Sequence, residues 1–160
     1  MEPLAPSTIA DALATVTEHW TPKVIGRVNN QYIKVAKLLG ELVWHAHDEE
    51  DEMFLVVYGH LRIQLEGDRE IALDPGQFFV VPKGVQHNPV AEGEVGIVLI
   101  ETVTTAHTGS VQTERTVPIE RQLCGATRVP DGCCDRDIHI PPRNPAQRSI
   151  APRIRRRTDP

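Results

Sequence analysis

An all-β fold, an antiparallel sandwich or barrel, is what this sequence predicts, and three observations carry it. Short apolar runs follow one another in quick succession between residues 23 and 101. Turn-forming Gly, Pro, Asn and Asp separate them. Leu61, Ile63 and Leu65 alternate with His60, Arg62, Gln64 and Glu66, the two-residue period of a strand with one dry face and one wet face.

The elements follow in order. Residues 7–18 predict a short helix, with Ser7 or Thr8 placed to cap it and Ile9, Leu13 and Val16 on one face. Strands are predicted at 23–28, 31–39, 42–46, 53–58, 61–65, 71–73, 78–81 and 95–101. Asn29-Asn30, Gly40, Gly59, Gly67-Asp68, Asp74-Pro75-Gly76, Lys83-Gly84 and Glu92-Gly93 break them. The run 53–58 is nearly all apolar, which suits a strand covered on both faces. The organisation expected is an N-terminal helical segment over 1–20, a barrel over 21–117 and an Arg/Pro-rich tail over 118–160. That tail holds 7 Pro and 9 Arg with few large apolar residues, so disorder is expected there.

At 160 residues and 40% apolar content, the chain has the size and substance of one domain. It contains no apolar run long enough to span a bilayer, and Met1-Glu2-Pro3 does not begin like a signal peptide. No membrane association and a cytoplasmic location are therefore expected. Cys124, Cys133 and Cys134 cluster at one end and do not read as a disulfide framework. Residues 1–117 carry 8 Lys and Arg against 17 Asp and Glu. Phosphates would be repelled, so nucleic-acid binding through the barrel is not expected.

The chemistry concentrates in His45-Ala-His47-Asp-Glu-Glu-Asp-Glu52. Residues two apart on a strand face one way, so His45 and His47 converge if that way is inward. Asp48–Asp51 form a polar turn, read as a solvated loop. Glu52 then opens an apolar strand, where a carboxylate is costly unless paired or bound to a cation. A fourth candidate, His87, follows the Pro82-Lys83-Gly84 turn. Three imidazoles and one carboxylate suit a divalent Fe, Mn, Ni, Co, Cu or Zn ion. Glu52 is also the candidate catalytic residue, since a glutamate released from the metal would act as a base. By strand parity Tyr32, Lys34, Phe54, Val56, Phe79 and Glu101 are candidates to line the pocket, and each is read as a packing or surface residue rather than a catalytic one. His60 is placed on a wet strand face. His19 and His107 have no identifiable partner, and the tail cysteines with His139 lack the spacing of a zinc module.

The spacing Gly40-x4-His45-x-His47-x4-Glu52-x6-Gly59, then Gly76-x5-Pro82-x-Gly84-x2-His87, resembles the two motifs of the cupin superfamily over residues 20–105. It departs by one residue between Gly40 and His45, and Ala91 stands near a position where that family often has Asn. The resemblance implies a double-stranded β-helix, or jelly-roll barrel, and pairing as a homodimer. It is strongest to small single-domain cupins described as like mannose-6-phosphate isomerase, a group that does not fix the chemistry. The function expected is a metal-dependent enzyme acting on a small polar metabolite, of the oxygenase or isomerase class. The alternative is a non-catalytic metal-containing module that binds or senses a small molecule.

Overall fold

A computed structural model describes residues 6–123. Its elements are α1 (Ile9–Ala14), β1 (Lys23–Val28), β2 (Gln31–Glu41), β3 (Glu52–Tyr58), β4 (Leu61–Leu65), β5 (Arg69–Leu73), β6 (Phe78–Val81), β7 (His87–Thr102) and α2 (Ile119–Leu123). All strand pairings are antiparallel, and one path runs β1-β2-β7-β3-β6 while β4 joins β5 and β7. The long β7 closes the jelly roll. Its beginning pairs with β4, His87 against Leu65, and its end with β3, Glu101 against Glu52. Along nearly its whole length it also pairs with β2.

The two-residue period sorts the side chains. Leu38, Phe54, Val56, Leu61, Ile63 and Ile97 fill the interior. A second apolar layer, Leu13, Val16, Val35 and Val98, forms where α1 covers the outside of the sheet. Thr8 caps α1, its hydroxyl accepting from Asp11 N–H at 3.0 Å. The helix ends at Ala14 rather than at 18, and Ile9 is exposed. Only the residues that meet Val35 and Val98 need burying, and Leu13 and Val16 suffice.

Two further differences from expectation have physical causes. Residues 42–46 make no strand; they meet β7 through Leu42 N–H, which donates to the Pro89 carbonyl at 3.3 Å, and at an isolated bridge between His45 and His87, beyond the break that Gly40, at φ +77°, marks in the β2–β7 register. Glu92-Gly93, expected as a turn, lie within a strand, so β7 runs unbroken from His87 to Thr102. Beyond residue 117 lies α2, where Gln122 is buried and donates to the Val117 carbonyl at 2.7 Å. The rest of the tail, including Cys124, Cys133, Cys134 and His139, lies outside the described residues. Among the described residues no helix is long and apolar enough to cross a membrane.

Candidate metal centre

Backbone pairing brings the four candidate ligands together. His45 and His87 exchange both of their backbone hydrogen bonds, at 3.0 and 2.9 Å. Residues opposed in this way project to the same side, and the two rings lie 4.2 Å apart. His47 follows two residues on, with its ring 5.2 Å from that of His45. Its carbonyl accepts from Gly84 N–H at 2.7 Å. Gly84 has φ +77° as the third residue of the turn that Val85 N–H closes onto the Pro82 carbonyl at 3.2 Å, a position that favours glycine. That turn therefore positions two ligands, by hooking His47 and by delivering His87. Glu52 opens β3, and its Oε2 lies 3.2 Å from His47 Nε2 and 3.1 Å from His87 Nε2.

All four residues are buried, and one ligand atom from each falls within 4.8 Å of the others. The second ring nitrogens decide what those atoms offer. His45 Nδ1 donates to the Val43 carbonyl at 2.8 Å, and His87 Nδ1 to the Val85 carbonyl at 3.0 Å. A carbonyl accepts only, so Nδ1 carries a proton in each ring; whenever the ring is neutral, as it is when it binds a metal, Nε2 presents a lone pair. The donor set fits a divalent ion, with Nδ1 of His45 and of His87 held as metal-binding histidines commonly are.

The charges agree. Burial, reinforced by His87, lowers the His45 pKa to about 4, so its ring is neutral near pH 7. For His47 burial acts in the same lowering direction, but the Glu52 hydrogen bond and charge outweigh it and the pKa is raised. Burial would raise Glu52, yet hydrogen bonds from His47 and His87 hold its carboxyl well below the usual range. Glu52 is thus an anion among imidazoles.

Behind Glu52 stands a second charged pair. Glu101 is its direct partner across β3 and β7. Burial, then the Glu52 charge, pushes the Glu101 pKa up to about 7 despite the opposing ammonium of Lys34. Lys34 and Glu101 form an ion pair that is 0% and 3% exposed. Tyr32, Phe54 and Val56 are buried as strand parity requires, and Phe79 is half-buried.

A cavity of about 20 Å³ adjoins His45 and Glu52, walled by Trp20, Leu38, Leu42, Phe54 and Leu99. The Trp20 indole N–H is spent on the Leu39 carbonyl at 2.8 Å. His107 also lines this cavity, although nothing in its local sequence marks it. It reaches the wall because the segment after β7 folds back over the ligand loop. There Gly109, at φ +54°, lies so close to the Ala46 carbonyl oxygen that a Cβ would overlap it. Among the remaining candidates, Asp48, Glu49 and Asp51 are exposed and Glu50 is half-buried. His60 is exposed and bonds Asp74 at 2.7 Å, while His19 finds Glu94 at 2.9 Å.

A family model described as the Cupin domain matches residues 37–103. A cupin-2 domain containing protein from Shewanella frigidimarina is 40% identical, with a TM-score of 0.58, over 60% of this chain and 93% of that one. Protein NMB1881 from Neisseria meningitidis is 31% identical, with a TM-score of 0.57, over 61% and 99%. An uncharacterized protein of Bacillus subtilis strain 168, YdbB, is 33% identical over 63 residues, 39% of this chain and 56% of that relative. The chain thus spans little more than half of this curated relative's length.

Proposed function

The chain belongs to the cupin superfamily, and from that premise we propose that it is a metalloprotein that presents a bound small molecule to one divalent transition ion. The ion is held by Nε2 of His45, His47 and His87 and by the Glu52 carboxylate. The observation that carries this reading is the buried convergence of those four residues, with two Nδ1 atoms already committed to carbonyls. An anion and three imidazoles gathered away from water are costly in a purely structural role. When bound, the ion supplies Lewis acidity or, if redox-active, a site for dioxygen chemistry. This chain's own residues dry the site with apolar walls and fix the imidazole tautomers.

An enzyme of the oxygenase or isomerase class is the reading preferred. A non-catalytic binding or sensing module is favoured by one observation, the small size of the cavity. A homodimer is supported by the outer side of edge strand β6, where Phe78 is 63% exposed and Val80 41%.

Elemental analysis of protein purified without oxygen should find one ion of Fe, Mn, Ni, Co, Cu or Zn per chain. His45→Ala, His47→Ala and His87→Ala should each lose most of it, and unchanged stoichiometry in all three would refute the site. A dioxygen-consumption screen then separates the two classes. Iron with consumption marks an oxygenase, and tightly held, inert zinc marks a binder.

A further inference from the structure

The cavity beside His45 and Glu52, about 20 Å³, has the room of a single water. Anything larger reaches the ion only if a wall moves. One wall is also the wall of a second space. The Trp20 side chain lines the inner cavity and an open cleft of about 360 Å³ on the outside, where Leu39, Glu114, Arg115 and Arg121 are exposed. A single residue therefore stands between this cleft and the metal centre.

Two parts of the structure could yield, and their fastenings decide between them. The segment 103–117, which carries His107 to the cavity, is tied at many points. Val103 N–H donates to the Asn30 carbonyl at 2.9 Å, and Thr104 donates to Glu50 at 2.8 Å. His107 spends one nitrogen on Val117 N–H, at 3.1 Å, and the other on the Arg115 carbonyl. Buried Thr108 bonds the Val111 carbonyl and Thr116, and Arg115 donates to the Glu41 carbonyl. Lifting the segment off the barrel breaks several of these together. The Trp20 indole makes one hydrogen bond, to the Leu39 carbonyl at 2.8 Å. Leu39 is 43% exposed, so water replaces the indole there when it leaves. The backbone need not follow, because Trp20 N–H is held by the Lys37 carbonyl at 2.9 Å. Trp20 also has φ +59°, a left-handed conformation that a bulky residue adopts only at a cost and that is often kept where function needs a side chain aimed.

We infer that Trp20 is the gate of this centre: small molecules enter from the outer cleft, and those larger than a water bind the ion only with the indole displaced. This sets access to the metal site proposed above and rests on that reading.

The test uses the full-length protein loaded with cobalt(II), whose visible absorption reports both metal binding and the arrival of a new ligand. The probe is imidazole, a neutral ring too large for the closed cavity. Wild-type protein should bind it weakly, since only molecules with an open gate are competent. Trp20→Phe loses the bond to Leu39 and part of the ring, so it should bind imidazole about tenfold more tightly. Arg115→Met releases the 103–117 segment from Glu41 and should leave that affinity unchanged. In Trp44→Phe, Trp20 is the one tryptophan left of two. Its emission should shift to the red as imidazole saturates the cobalt, because the indole passes from the interior into water. Absence of cobalt binding would overturn the metal reading and this inference with it. Cobalt bound normally, with imidazole excluded from the wild type, with Trp20 emission unmoved at saturation, or with no tighter binding in Trp20→Phe, would overturn this inference alone. Tighter binding in Arg115→Met instead would make the 103–117 segment the door and overturn it too. The emission measurement leaves Trp20 in place, so it decides the matter even where Trp20→Phe does not fold.

Discussion

Replacing Lys34 by Met tests whether the charges behind the metal centre support one another. Lys34 is fully buried and pairs with Glu101, which is 3% exposed and stands directly across the sheet from Glu52. Met preserves most of the side-chain volume and removes the ammonium, leaving Glu101 buried next to a second carboxylate. Breaking one side of a buried ion pair costs about 3–5 kcal/mol. For a domain of this size that is a fall in melting temperature of about 10–20 °C. The pH dependence gives a sharper signature. In the metal-free wild type Glu101 has its pKa raised to about 7. The stability linked to a raised carboxyl is fully present below its ordinary value and declines as pH rises through the folded value. Without Lys34 the folded value rises further, so the decline continues to higher pH in the variant than in the wild type. The gap between them should be wide at pH 8 and nearly closed at pH 5.5. Thermal unfolding of both proteins without metal, followed by circular dichroism at the two pH values, reads it. The double variant Lys34→Met/Glu101→Gln should recover most of the loss at pH 8. A single variant as stable as wild type at pH 8, or a gap of equal size at pH 5.5, would refute the reasoning.

Three other outcomes are expected. Glu52→Gln should stay folded yet bind metal at least about 100-fold more weakly, since even residues behind the ligands are worth about 10–100-fold; wild-type affinity in a metal titration would instead make Glu52 a base rather than a ligand. Gly109→Ala puts a side chain at φ +54° against the Ala46 carbonyl, so a destabilisation of about 1–3 kcal/mol is expected in urea titration, together with weaker metal retention because Ala46 joins two ligands; a neutral result would show that the segment yields freely. A chain ended after Val117 should melt a few degrees below one ended after Leu123, because it loses the buried Gln122 and its bond to Val117; equal melting would show that α2 adds no stability to the barrel.

The legibility of this protein in its sequence follows the range of the interactions involved. Leu61, Ile63 and Leu65 announced a half-buried strand because alternation is local, and the structure buries all three. His45, His47 and Glu52 were legible for the same reason: all three lie within residues 45–52. His87 needed the family resemblance as well as its turn, since nothing local ties it to His45. The continuity of β7 through Gly93 was missed because glycine reads as a break when pairing partners are unknown. Lys34 and Glu101 could be assigned by parity to the interior, but not to each other.

The sequence by itself determined the strand period, most of the turns and the candidate ligands His45, His47 and Glu52, because each depends on residues close along the chain. Only the tertiary structure decided that His45 and His87 share a hydrogen-bonded pair, that Lys34 neutralises a carboxylate facing Glu52, and that His107 enters the cavity wall. Those contacts join segments far apart in the chain. Their partners are selected by the closure of the barrel, through backbone pairing and the burial of apolar faces, and neither leaves a mark on the neighbouring residues.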